Sequence, residues 1–213
     1  MKRTASTKNK PWQDHYSRQA KKDQFPARSV YKLAEIQKKH RLIKKGDKVL
    51  DLGCAPGAWL LYTAKLTGPK GRVYGVDLKP VSIQLSSNTK SITADVFTLD
   101  IASFEKGFNV VLSDMAPATT GHNIVDAARS YNLCETALNI AQSILLPGGF
   151  FVCKIFQGPD FNLFLDAARA GFKRLKVFKP QSSRKASKEI YVIGLGFKGN
   201  QLGPYRHFSD NML

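Results

Sequence analysis

The sequence predicts an α/β domain built on a doubly wound, largely parallel sheet. Short apolar runs of strand length alternate with stretches of helical period along most of the chain, an order that demands crossover connections and helices on both faces of the sheet. The 213 residues suffice for one substantial core and are few for two. A composition of 43% hydrophobic and 23% charged residues fits a globular protein and excludes a disordered or collagen-like chain.

Residues 1–28 are polar and basic with little periodicity, and they read as a basic N-terminal arm, flexible or loosely docked. From Ser29, the segment SVYKLAEIQKKHRL places Val30, Leu33, Ile36 and Leu42 near helical spacing, with Ser29 as the candidate N-cap. GDKVLDLG reads as a turn and a short buried strand, AWLLYTAKLTG as a helix closed by Gly68 and Pro69, and GRVYGVD as a second strand. The alternation continues through SITAD, FNVVLSD, a helix from about Asp126 to Leu145, GGFFVCKIF, a helix near Phe161 to Ala170, FKRLKVF and EIYVIGLGF. Residues 29–198 thus form one predicted domain. Residues 199–213, rich in turn formers and without a period, read as a C-terminal tail.

Lys and Arg number 33 against 16 Asp and Glu, a formal charge of +17 that points to a polyanionic partner. Nucleic acid leads over an anionic membrane surface, because the longest apolar runs, such as Gly148 to Cys153, are only strand-length. The N-terminus lacks the apolar stretch of a secretory signal, and Asp14 and Asp23 argue against an organellar presequence, so a cytoplasmic location is expected. Cys54, Cys134 and Cys153 form neither a CxxC pair nor a zinc-ligand pattern. They are expected to be reduced, buried thiols, and no metal site is expected.

In an open α/β sheet the ligand lies beyond the carboxyl ends of the strands, beside the first strand-to-helix loop, here DLGCAPGAW. Gly53 and Gly57 let the backbone turn tightly and approach a ligand, Pro56 stiffens the turn, and Asp51 ends the strand. The G-x-x-x-G spacing with an internal Pro differs from the G-x-G-x-x-G of dinucleotide loops. Asp77 closes the second strand, where a carboxylate can accept ribose hydroxyls. Asp95 ends the third, within reach of an adenine amino group, and Asp114 ends the fourth. Each alone is an ordinary strand-end acid; three in register argue for a ligand crevice. An acidic crevice inside a very basic protein suits a cationic sulfonium, which favours S-adenosylmethionine over phosphate-rich ligands. Lys154 interrupts the apolar run FFVCKIF, where a lysine is costly unless paired, so its reading is a functional group or a structural ion pair.

Four segments, DLGCAPGAW, SDMAPATTG, LLPGGFFVCKIFQG and KPQSSRKASKEIYVIG, resemble in this order the cofactor loop, fourth-strand motif, fifth-strand segment and closing segment of the FtsJ (RrmJ) family of RNA ribose 2′-O-methyltransferases. The resemblance runs from about Trp12 to Lys198. It implies a Rossmann-like, S-adenosylmethionine-dependent methyltransferase fold whose sheet is mostly parallel with the last strand antiparallel. It also implies a Lys-Asp-Lys-Glu tetrad at Lys32, Asp114, Lys154 and Glu189, with Lys154 the candidate proton acceptor. Cofactor contacts would come from Gly57, Trp59, Asp77, Asp95 and Asp114. The implied substrate is a uridine of 23S ribosomal RNA, met as RNA or as the large ribosomal subunit particle, by a monomeric enzyme. Ala58 stands where the family often has a second Gly, Cys54 where it often has Ala, and the tail beyond Lys198 has no clear counterpart.

An alcohol is a weak nucleophile at neutral pH, so the chemistry wants a positioned base, or a cation that steadies the alkoxide. Lys32 and Glu189, seen alone, would pass as surface residues. Two readings compete on the same fold: a catalytically inactive RNA-binding or ribosome-assembly factor, which an intact tetrad disfavours, and a tRNA 2′-O-methyltransferase. A small-molecule O-methyltransferase would have no use for the basic arm, the basic helix and the cluster Lys176, Lys179, Arg184, Lys185 and Lys188.

Overall fold

The computed structural model describes residues 11–104, 107–184 and 187–199. Its strands are β1 (Lys48–Leu52), β2 (Arg72–Asp77), β3 (Thr89–Thr93), β4 (Phe108–Ser113), β5 (Leu145–Phe156), β6 (Phe172–Phe178) and β7 (Glu189–Phe197). The helices are α1 (Pro11–Lys22), α2 (Val30–His40), α3 (Ala58–Thr67), α4 (Asn123–Ile144) and α5 (Phe161–Gly171). One sheet takes all these strands in the order β3-β2-β1-β4-β5-β7-β6. The pairs from β3 through β5 are parallel, and β7 runs antiparallel between β5 and β6. Strand order reverses between β1 and β4, which opens a crevice beyond their carboxyl ends.

Both faces of the sheet are covered, because its strands bury side chains of both parities. Leu50, Leu52, Val111, Phe151 and Cys153 meet Cys134 and Leu138 of α4 and Phe164 of α5 on one face. Val49, Leu112, Val152 and Ile193 meet Leu33 and Ile36 of α2 and Trp59 of α3 on the other. Each such side chain, fully buried, contributes about 1.5–3 kcal/mol relative to exposure. Cys54, Cys134 and Cys153 are free thiols and all buried.

The end of α2 is fixed locally. Arg41 takes the left-handed conformation (φ 51°) and its N–H returns to the Gln37 carbonyl, while the Gln37 side chain bonds both the N–H and the carbonyl of Ile43 at 3.0 and 2.7 Å. This turn aims the chain into β1. Ser29 stands at the N-cap position, but its backbone is already helical and its side chain makes no capping bond; its carbonyl instead accepts the Trp59 indole N–H at 2.9 Å.

The expected arm is packed over residues 15–28 rather than loosely docked. Ala20 is buried, Tyr16 lies against Tyr31 and Phe25 against Tyr62, and the Tyr31 hydroxyl donates to Asp23 at 2.7 Å. Aromatic rings and a single alanine make these contacts, so no long apolar period marks α1 in the sequence. Residues 1–10, Lys185 and the predicted tail except Gly199 lie outside the described residues. Among the described residues, no helix is long and apolar enough to cross a membrane.

Candidate active site

The turn from β1 to α3 is shaped by two glycines. Gly53 has φ +79°, and a Cβ there would come within 2.7 Å of Met115 Cγ and 2.9 Å of Met115 N. Gly57 precedes α3 with φ +108°, and its Cβ would meet Ile83 Cδ1 at 2.5 Å. The close approach that the sequence suggested is therefore an approach to other parts of the chain. It lets the loop after β4 and the loop after β2 crowd against this turn.

A cleft of about 560 Å³ opens beside it, at the carboxyl ends of β1, β2 and β4, and brings Asp77, Asp95 and Asp114 together with apolar Val96, Phe97 and Met115. Asp77 ties the cleft's edges: one carboxylate oxygen accepts the Ala55 N–H and the other the Lys79 N–H, each at 2.9 Å. Asp95 accepts the Phe97 N–H at 3.0 Å. Phe97 and Leu78 stay largely exposed at the cleft. The far wall, after β4, is held by Asp126, which accepts the Thr120 N–H and hydroxyl at 2.8 and 2.9 Å and the Gly121 N–H at 3.2 Å. Those bonds, led by the Thr120 N–H, hold the Asp126 carboxyl below its ordinary range.

Gly57 and Trp59 do not line the cleft. Trp59 is 3% exposed; its indole fastens α3 to the residue before α2, and its ring lies 6.1 Å from that of Tyr191.

Asp114 belongs to the cleft and also to a group of charged side chains behind it. Lys154, near the end of β5, places Nζ 3.0 Å from Asp114 Oδ1 and donates to the Asp114 carbonyl at 2.6 Å. Lys32 on α2 pairs with Glu189 at the start of β7, Nζ to Oε1 2.7 Å. Tyr191 supports the first of these pairs. It stands opposite Lys154 in the β5–β7 register, and its hydroxyl donates to Asp114 Oδ1 at 2.6 Å. Burial, then the charges of Asp114 and Glu189, push the Tyr191 hydroxyl far above its usual pKa. The four residues of the predicted tetrad thus form two ion pairs, one of which, Lys154 with Asp114, is held by a buried tyrosine.

Two participants escaped the sequence reading. Tyr191 lies two residues after Glu189 and so shares its face of β7, a signal that period-2 reasoning could have used. Asp51 is fully buried in β1, and neither of its oxygens has a hydrogen-bond partner among the described residues. Burial, then Asp114 and Asp77, raise its carboxyl well above the ordinary range. An acid inside the apolar run KVLDL is the same signal that singled out Lys154.

The sequence and the fold are matched by known proteins. Residues 25–197 fit the family model described as FtsJ-like methyltransferase. The chain belongs to that family. Among FtsJ-like relatives, the "Ribosomal RNA large subunit methyltransferase E" of Desulforapulum autotrophicum is 54% identical over 199 residues, 92% of this chain and 98% of that one. Its namesake in Desulfosudis oleivorans is 50% identical over 90% of this chain and 94% of its own. The crystal structure of a ribosomal RNA methyltransferase from Plasmodium falciparum superposes with a TM-score of 0.72 at 26% identity, covering 82% of this chain and 100% of that one. Aeropyrum pernix fibrillarin, solved with natively bound S-adenosyl-L-methionine, shares the fold at a TM-score of 0.60 and 18% identity over 78% of this chain and 76% of its own. The FtsJ-like fold here is the Rossmann-like methyltransferase fold, with the antiparallel last strand that the resemblance implied.

Proposed function

We propose that this FtsJ-family chain transfers a methyl group from S-adenosylmethionine to a ribose 2′-hydroxyl of RNA, and that its substrate is a uridine of 23S ribosomal RNA in the large ribosomal subunit. The observation that carries the reading is the double membership of Asp114. It lines the strand-end cleft and contacts Lys154 at 3.0 Å, so a ligand in the cleft and the buried lysine meet at one residue. The names of the relatives at 54% and 50% identity favour the ribosomal RNA of the large subunit over tRNA.

The cleft suits the cofactor in chemistry. Asp77 and Asp95 each spend carboxylate oxygens on backbone N–H groups yet keep lone pairs for ribose hydroxyls and an adenine amino group. Val96 and Phe97 offer apolar surface to the ring. When bound, S-adenosylmethionine supplies an activated methyl group on a cationic sulfur, which the acids around the cleft favour. Lys154 takes the proton of the 2′-hydroxyl at Nζ or, as an ammonium, steadies the alkoxide, and either role is worth about 10² to 10⁴ in rate. Asp114 and Tyr191 orient Lys154. Lys32 and Glu189 complete the wall on which the ribose would rest. The +17 charge provides for phosphate binding on RNA or on an assembling particle.

The test uses two ribosomal RNA transcripts that differ by one 2′-deoxy substitution at the nucleotide mapped by mass spectrometry. Binding should be alike, and methylation should vanish from the substituted RNA, because the 2′-hydroxyl is the reacting group. A methyl group still found at that nucleotide would lie on the base and would reject the assignment.

A further inference from the structure

The segment between β6 and β7, residues 179–188, exposes Lys179, Arg184 and Lys188. Its course is set by α2. Glu35, the one acid on a helix otherwise charged by Lys32, Lys38 and Lys39, accepts the Gln181 N–H at 2.7 Å and the Ser182 N–H at 2.8 Å, one on each carboxylate oxygen. Arg28, just before the helix, donates to the Ser182 carbonyl at 2.7 Å. Ser182 and Ser183 are buried as a result. Lys179 reaches across the neck of the segment to the Ser187 carbonyl at 2.9 Å. The segment then enters β7, whose first residue, Glu189, is paired with Lys32. Two residues one helical turn apart, Lys32 and Glu35, therefore fasten both limbs of the segment to α2.

An acid on a basic surface that meets RNA ought to weaken binding, since it repels phosphate. Here its charge is directed at two backbone N–H groups, and such charge-assisted bonds are about twice as strong as neutral ones. We propose that Glu35 is a positioning residue that holds residues 179–184 against α2 as an RNA-docking strap, so that Lys179 and Arg184, with Lys188 on the limb that enters β7, present a fixed array of cations to phosphates beside the tetrad. The inference rests on the RNA reading above and adds to it the element that sets RNA affinity.

Positioning and simple electrostatics make opposite forecasts, which the full-length protein can decide. Glu35→Ala removes a negative charge, so electrostatics alone forecasts tighter RNA binding. If the strap depends on Glu35, the KM for a ribosomal RNA transcript rises roughly tenfold, and the slope of log affinity against log salt falls by about one to two as phosphate contacts are lost. The kcat at saturating RNA and the calorimetric affinity for S-adenosylmethionine should stay near the parent's. Glu35→Gln keeps one acceptor oxygen but sets its amide NH2 against the other backbone N–H, so it should recover only part of the RNA affinity. Unchanged or tighter RNA binding by Glu35→Ala overturns the inference. So does a parallel loss of cofactor affinity and thermal stability that Glu35→Gln leaves unrepaired, which would mark a general role in the fold. A parent protein that methylates no RNA overturns the RNA reading and the strap with it, whereas an active parent with an indifferent Glu35→Ala overturns the strap alone.

Discussion

Replacing Lys154 by Met removes the ammonium and keeps most of the side-chain volume, so it separates chemistry from packing. At 3.0 Å from Asp114 Oδ1, the attraction is roughly 5 to 6 kcal/mol at an effective dielectric of about 20. Desolvating the ion offsets much of this, since burying a charge costs several kcal/mol. Asp114 also keeps the Tyr191 hydroxyl as a donor and stays partly open to the cleft, with 15% of its side chain exposed. The expected stability loss is therefore about 1–3 kcal/mol, that of one charged hydrogen bond. Turnover should fall about 10² to 10⁴-fold while S-adenosylmethionine and RNA affinities hold, because the proposed work of Lys154 belongs to the transition state. Urea melts, calorimetry and single-turnover methyl transfer from labelled cofactor measure the three quantities separately. A folded Lys154→Met protein with turnover within a few-fold of the parent would refute the assignment of the lysine.

Tyr191→Phe deletes the hydroxyl that donates to Asp114 and should cost about 1.5–3 kcal/mol in urea unfolding, with a smaller loss of turnover than Lys154→Met; a loss under about 0.5 kcal/mol would show that Asp114 does not depend on it. Asp77→Ala removes the acceptor for the Ala55 and Lys79 N–H groups as well as the proposed ribose contact, so calorimetry should find cofactor affinity weakened by about 1.5–3 kcal/mol, and unchanged affinity would reject the contact. Asp51 has a raised carboxyl pKa in the folded chain, caused first by burial and then by Asp114 and Asp77. Its stability contribution is therefore present below the unfolded value of about 3.9 and is lost as pH climbs toward the folded value. Asp51→Asn escapes that loss, so its advantage over the parent in urea should grow from about pH 4 upward; a difference independent of pH would argue against a raised carboxyl.

The alternating strands and helices were legible where a strand carries a short apolar run, as β1, β4 and β5 do, and a helix an apolar stripe; β3, TKSIT, is exposed along all but its first residue. The acids of the cleft were legible from their places: Asp77 closes a strand, Asp114 follows one directly and Asp95 stands two residues past another, where a parallel sheet collects its ligands. Lys154 stood out because a cation in FFVCKIF needs a partner. What stayed hidden was pairing at long range. Nothing near Glu35 in sequence announces that its carboxylate is satisfied by Gln181 and Ser182, and nothing near Trp59 shows that its indole bonds to the Ser29 carbonyl. The helix within the basic arm was missed because its packing rests on Ala20 and rings at 16 and 25, too few apolar positions to make a period.

The placement of β7 governs when the two ion pairs can be completed in a nascent chain. β5 and β6 precede it in sequence but are not neighbours in the sheet, and each reaches the other only through β7. A ribosome-bound chain that has extruded everything up to residue 188 therefore holds β6 without a strand partner, Lys32 without Glu189, and Asp114 without the Tyr191 hydroxyl. Closure waits on the last strand, and loop-closure entropy makes such long-range pairing slow. During synthesis the cleft between β1 and β4 can form early, while the tetrad completes only as the final strand slots between two that are already waiting. Fragments cut short of β7 would leave β6 unpaired and turn β5 into an exposed edge, a surface prone to association with other strands.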